Sequence, residues 1–155
     1  MNKSMSRAIT ILMADDDEDD RRLTLDAFKE AKLVNDLRFV EDGAELLDYL
    51  YRRGQYIDPN SSPRPGLILL DLNMPKVDGR QALEQLKSDS ELRRIRVVVM
   101  TTSKAEEDIL RSYNLSAASY IAKPVTFEAL VDVVRTLGKY WLEIVELPDN
   151  GSLPN

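Results

Sequence analysis

Apolar residues along the chain gather into five short runs, each closed by polar residues. AITILMA, 8–14, is short and partly β-branched and reads as a buried strand. LRFVED, 37–42, is a second strand ending in acids, GLILLD, 66–71, a third, IRVVVMTT, 95–102, a fourth, and ASYIA, 118–122, a fifth. Between them the pattern turns helical. Leu23, Ala27 and Ala31 recur every four residues with Leu25 and Phe28 alongside, and Leu46, Leu47, Leu50 and Tyr51 share a side. Ala82, Leu83 and Leu86 mark a third helix, Ala105, Ile109, Leu110 and Tyr113 a fourth, and Thr126 caps a fifth carrying Leu130, Val133, Val134 and Leu137. Residues 54–66, rich in Gly, Pro, Asn and Ser, form a long loop.

The strands are near-continuous apolar runs, not alternating ones, and they alternate with helices. Both features predict an α/β fold: a five-stranded parallel sheet, doubly wound in (βα)5 order and covered on both faces. In such a sheet ligands bind at the carboxyl ends of the strands.

Composition narrows the chemistry. The 155 residues suit one domain, with 43% hydrophobic and 31% charged residues. No apolar run approaches the ~18 residues of a membrane span and no signal-peptide pattern opens the chain, so a cytoplasmic protein is expected, with no membrane partner. Cysteine and histidine are both absent, which removes disulfides, thiolate and imidazole metal sites, and His-based triads. The net charge of −6 argues against nucleic acid, and the densest basic group is only Arg93, Arg94 and Arg96.

The candidate chemistry lies where the strands end. Strand one ends in Asp15, Asp16 and Asp17, strand three in Asp71, strand four in Thr101, Thr102 and Ser103, and strand five in Lys123 and Pro124. A parallel sheet puts all these on one edge, so Asp15, Asp16, Asp71, Thr101 and Lys123 are expected in one pocket. Carboxylates packed together raise one another's pKa and call for a cation; a hard, oxygen-preferring ion such as Mg2+ fits. With a lysine and a hydroxyl they make a phosphoryl-binding set in which Asp71 is the candidate nucleophile.

These motifs resemble a known family. DDD after strand one, LDLNMPKVDG after strand three, TTS after strand four and YIAKP after strand five are similar to the receiver domain of two-component response regulators, over roughly residues 8–137. The resemblance implies a flavodoxin-like receiver fold and phosphorylation of Asp71 by a partner histidine kinase. It implies Mg2+ held by Asp16 and Asp71, by the Asn73 carbonyl and, through water, by Asp15. It gives Lys123 the phosphoryl charge, Thr101 a phosphoryl oxygen, and Tyr120 an inward turn behind it. A cis peptide before Pro124 is also implied. With no histidine, the donor must be another protein or a small acyl phosphate. RPGLILLDLNMPKVDGRQAL, the loop at 54–66, TTSKAEEDI, Tyr113 and KYWLEIVELP further resemble single-domain regulators paired with cyanobacterial and bacterial phytochromes.

Blander readings stand beside these. Asp17 to Asp20 read as a solvated, helix-starting acidic run. A calcium loop over 15–26 fails at Asp20, where glycine is needed, and Asp26, where Glu is usual. Of Thr101 and Thr102, on opposite faces of a strand, at most one reaches the pocket. A haloacid-dehalogenase-type phosphatase needs a second Asp where Asn73 stands; a non-phosphorylated interaction module is the other alternative. The expected organisation is a receiver over 1–137 and an extension over 138–155 without an output domain. A break is expected at Gly138. Leu130, Val133/Val134, Leu137, Trp141 and Ile144 continue one helical stripe past it; the plain reading is a tail folded back onto its own domain, the favoured one a stripe that pairs with a second copy in a homodimer, and residues after Leu147 read as disordered. No independent enzymatic turnover is expected, and the signal passes by protein contact or to a downstream phosphorelay protein.

Overall fold

The computed structural model describes residues 9–72, 79–101 and 118–140. Its strands are β1 (Thr10–Ala14), β2 (Asp36–Val40), β3 (Leu67–Asp71), β4 (Arg96–Thr101) and β5 (Ala118–Ala122). They form one sheet in the order β2-β1-β3-β4-β5, every pairing parallel. The described helices are α1 (Glu18–Glu30), α2 (Gly43–Leu50), α3 (Gly79–Ser88) and α4 (Phe127–Tyr140). None is long and apolar enough to cross a membrane. The chain leaves β1 towards β2, then returns to build β3 on β1's other side. That reversal makes the carboxyl ends of β1 and β3 the sheet's switch point.

Strand alternation sorts the core into two layers. Ile11, Met13, Leu67 and Leu69 pack with Ala27, Phe28, Val131 and Val134 of α1 and α4. Leu12, Ala14, Ile68 and Leu70 pack with Leu46, Leu50, Leu83 and Leu86 of α2 and α3. All eight strand residues are buried, which explains runs with no polar alternation.

Helix starts explain where strands stop. Asp42 caps α2 by accepting from the Glu45 N–H at 2.7 Å, and Glu45 accepts from the Glu41 N–H at 2.8 Å. The acids at 41 and 42 therefore serve the helix, and β2 closes at Val40. Asp17 caps α1, accepting from the N–H groups of Asp19 at 2.8 Å and Asp20 at 3.3 Å. The buried face of α1 is Thr24, Ala27 and Phe28; Leu23 is 43% exposed, against the expected stripe. The Thr24 hydroxyl donates to the Asp20 carbonyl at 2.9 Å, which lets a threonine occupy the core side.

The loop at 54–66 contains a short 3-10 turn, Gly54–Tyr56, and is fastened to α2. The Tyr49 ring packs on Tyr56 at 5.0 Å between centroids, and its hydroxyl donates to the Pro63 carbonyl at 2.7 Å.

Two further expectations are corrected. The last helix does not break at Gly138 but runs through it to Tyr140. Gly138 is buried beside Leu137, and tertiary packing outweighs the ~1 kcal/mol intrinsic cost of a helical glycine. The Lys123–Pro124 peptide bond is trans. Proline leaves the two isomers within ~1 kcal/mol, so local context decides and the dipeptide alone does not. The helix expected around 105–113, with Trp141, Ile144 and residues 147–155, lies outside the described residues.

Candidate functional site

Asp15 follows β1 directly, its N–H donating to the Val40 carbonyl at 3.0 Å. Its Oδ1 accepts from the Asp17 N–H at 2.9 Å, and its own carbonyl accepts from Arg21 Nη1 at 2.8 Å. The side chain is fully buried, and Oδ2 has no hydrogen-bond partner among the described residues. Asp71 closes β3 in register with Met100 and, by alternation from Leu67 and Leu69, lies on the α1/α4 side. It is 1% exposed. Asp16 is exposed, but each of Asp15, Asp16 and Asp71 offers a carboxylate oxygen within 4.8 Å of the others.

Lys123 reaches in from the end of β5. Its Nζ lies 3.0 Å from Asp71 Oδ2, 2.8 Å from Asp20 Oδ2 and 3.7 Å from Asp15 Oδ2. A cleft of about 140 Å³ opens beside it, lined among others by Asp20, Leu23, Val125 and Phe127.

The electrostatics follow from three carboxylates, Asp15, Asp20 and Asp71, around one ammonium. Burial pushes the Asp15 carboxyl up to about 7; the Asp17 N–H opposes this, Asp71's charge adds to it, and Lys123 opposes it. Burial of Lys123 works against its charge, but hydrogen bonds to Asp20 and Asp71, with the fields of Asp71 and Asp15, outweigh it and raise its pKa. Lys123 cannot balance the group alone. The orphaned Asp15 Oδ2 and the three clustered carboxylates suit a hard divalent cation with oxygen ligands.

Of the other expected site residues, Thr101 closes β4 opposite Ala122, one position before Lys123. Tyr120 is half-buried against the α2/α3 core layer. Asn73 lies outside the described residues. One residue was misjudged: Asp20 is not simply solvated but holds Lys123. The signal was present in the spacing, because Asp20 stands one helical turn before Thr24 and so continues the buried face of α1 towards the sheet's carboxyl edge.

The profile of the response regulator receiver domain matches residues 11–135. This chain belongs to the response regulator receiver family. The receiver is 40% identical over 138 residues to the response regulator Rcp1 of Synechocystis sp., covering 89% of this chain and 92% of that one. It is similar to the phosphorylated cyanobacterial phytochrome response regulator RcpA, with a TM-score of 0.78, 39% identity and coverage of 92% and 99%. It is also similar to the Mn2+-bound form of Rcp1, with a TM-score of 0.75, 37% identity and coverage of 95% and 99%. As a receiver it is a two-component signalling protein, not a conventional enzyme, and its partner class is the histidine kinase.

Proposed function

We propose that this receiver accepts a phosphoryl group on Asp71 from the phosphohistidine of a phytochrome kinase. The observation that carries this is the Lys123 ammonium, 3.0 Å from the Asp71 carboxylate, beside a three-carboxylate group of cation-binding spacing. A carboxylate oxygen of Asp71 attacks phosphorus as the P–N bond breaks; the imidazole leaves and takes a proton from solvent. Lys123 bears the negative charge gathered on the phosphoryl oxygens. Asp15, Asp16 and Asp71, with the Asn73 carbonyl, would hold Mg2+, which would supply charge neutralisation for the phosphoryl oxygens. Thr101 then bonds a phosphoryl oxygen, Tyr120 turns inward behind it, and the changed surface meets the next protein. The phosphoryl group adds roughly −1.5 to −2 of charge, enough to bias a two-state loop. Slow hydrolysis of the acyl phosphate, tuned by Asn73 and Ser103, resets the switch.

The phytochrome pairing is supported by the likeness to RcpA, a cyanobacterial phytochrome response regulator. A cytoplasmic location and a homodimer paired through the C-terminal stripe belong to the same reading.

The test is intact mass after incubation with acetyl phosphate, with and without Mg2+, on wild type and Asp71→Asn. A single phosphoryl adduct that requires both Mg2+ and Asp71 is expected. An adduct that persists in Asp71→Asn sinks the site assignment.

A further inference from the structure

Lys123 is held by a carboxylate that the divalent-cation group does not use. Its Nζ is 2.8 Å from Asp20 Oδ2, nearer than to Asp71 at 3.0 Å or Asp15 at 3.7 Å. Asp15, Asp16 and Asp71 form the candidate cation group, and Asp20 is outside it. A cation there would draw on the charge of Asp15 and Asp71 and leave Asp20 with its full charge for Lys123.

We propose that Asp20 is a positioning residue that competes with the incoming phosphoryl group for Lys123 and so sets how tightly this site takes an anionic donor. The proposal rests on Asp71 being the phosphoacceptor. The backbone of Asp20 is fixed at both ends of the first helical turn: its N–H donates to Asp17 Oδ1 at 3.3 Å and its carbonyl accepts from the Thr24 hydroxyl at 2.9 Å. The carboxylate can then follow Lys123 only by its own short side-chain rotations, so the Asp20 contact weakens when the ammonium turns to a phosphoryl oxygen. Asp20 also lines the cleft beside Lys123, its side chain 31% exposed, where its charge repels an arriving anion. Both effects oppose the donor. A plain helix-start acid explains neither: Glu18 and Asp19, in the same turn, are exposed, whereas Asp20 reaches across to the end of β5.

The decisive experiment compares wild type, Asp20→Asn, Asp20→Glu and Asp19→Asn at saturating Mg2+. The readouts are the dissociation constant for beryllofluoride, by 19F NMR, and the second-order rate of adduct formation from acetyl phosphate. Asp20→Asn is expected to bind beryllofluoride roughly three- to fivefold more tightly, the size of a partly exposed ion pair, and to gain a similar factor in rate. Asp20→Glu restores the wild-type values, and Asp19→Asn, with the same change in net charge, leaves them unchanged. Binding in Asp20→Asn that is unchanged or weaker, with melting temperature retained, overturns the proposal while Asp71 stands. A gain of the same size in Asp19→Asn assigns the effect to net charge and also overturns it. Absence of an adduct and of beryllofluoride binding in wild type removes the phosphoacceptor reading itself, and this proposal with it.

Discussion

The ammonium of Lys123 lies 3.0 Å from Oδ2 of Asp71, tying the end of β5 to the end of β3 across 52 positions of sequence. Lys123 is thereby a counter-charge to two buried carboxylates, since Asp15 and Asp71 are 0% and 1% exposed. Lys123→Met leaves them facing each other without it. Breaking a buried pair costs about 3–5 kcal/mol, and the 21% exposure of Lys123 lets water soften this to roughly 1–3 kcal/mol. Urea unfolding without metal should show the loss, and millimolar Mg2+ should recover much of it. A variant as stable as wild type in metal-free buffer would show that the pair stabilises nothing.

Asp15 makes stability depend on pH in a definite direction. Its folded carboxyl is raised from 3.8 to about 7, so the folded state holds the proton more tightly than the unfolded chain. The unfolded state then binds fewer protons between these values, and the contribution of Asp15 to stability falls as pH rises from about 4 to about 7. A divalent cation binds only the ionised carboxylate and opposes this fall. Thermal melts should show Mg2+ raising the melting temperature more at pH 8 than at pH 5.5. Asp15→Asn should flatten the metal-free pH slope over the same window. An Mg2+ effect larger at pH 5.5 would contradict the assignment.

The fold was legible because a parallel sheet buried on both faces leaves little ambiguity in its strands. ASYIA is β5 to the residue, and the other strands differ from expectation only at their ends. Those ends blurred for a physical reason: Glu41 and Asp42 look like a strand's polar stop but are the cap of α2. The gathering of Asp15, Asp71 and Lys123 followed from topology, since all three stand at the carboxyl ends of parallel strands in one sheet. Hydrophobicity misled on α1, where Leu23 outranks Thr24 on any scale yet Thr24 is the buried residue, its hydroxyl satisfied by the turn before it. The same error hid Asp20, whose place on that face is visible only once Thr24 is put inside. Gly138 shows the limit of propensity, and Pro124 the limit of a motif where two isomers lie close in energy.

Tyr49 anchors the loop at 54–66. Tyr49→Phe keeps the ring packing with Tyr56 and removes only the bond to the Pro63 carbonyl. The expected cost is about 1 kcal/mol in denaturant midpoint experiments. Amide exchange should rise at 60–62, with little change in the sheet. Unchanged exchange there would mean that the turn at 58–62 holds the loop by itself.

Gly79 controls the geometry of Asp71 through contact with its backbone. A Cβ at Gly79 would stand 2.7 Å from the Asp71 carbonyl oxygen and 2.8 Å from the Leu72 Cα. Both are main-chain atoms, so no side-chain rotation relieves the clash, and α3 must back away from the end of β3. Gly79→Ala would gain up to ~1 kcal/mol of helix propensity at an unconstrained site. Here overpacking of ~1–3 kcal/mol opposes that gain and is expected to exceed it, giving a lower melting temperature. The strain falls on the residue that carries the candidate nucleophile, so cation affinity should fall with it. Titration with Mn2+, followed by water-proton relaxation, should show the dissociation constant rising several-fold in Gly79→Ala. A variant that melts higher than wild type and binds Mn2+ equally well would mean that α3 shifts freely, and that Asp71 is positioned by β3 alone.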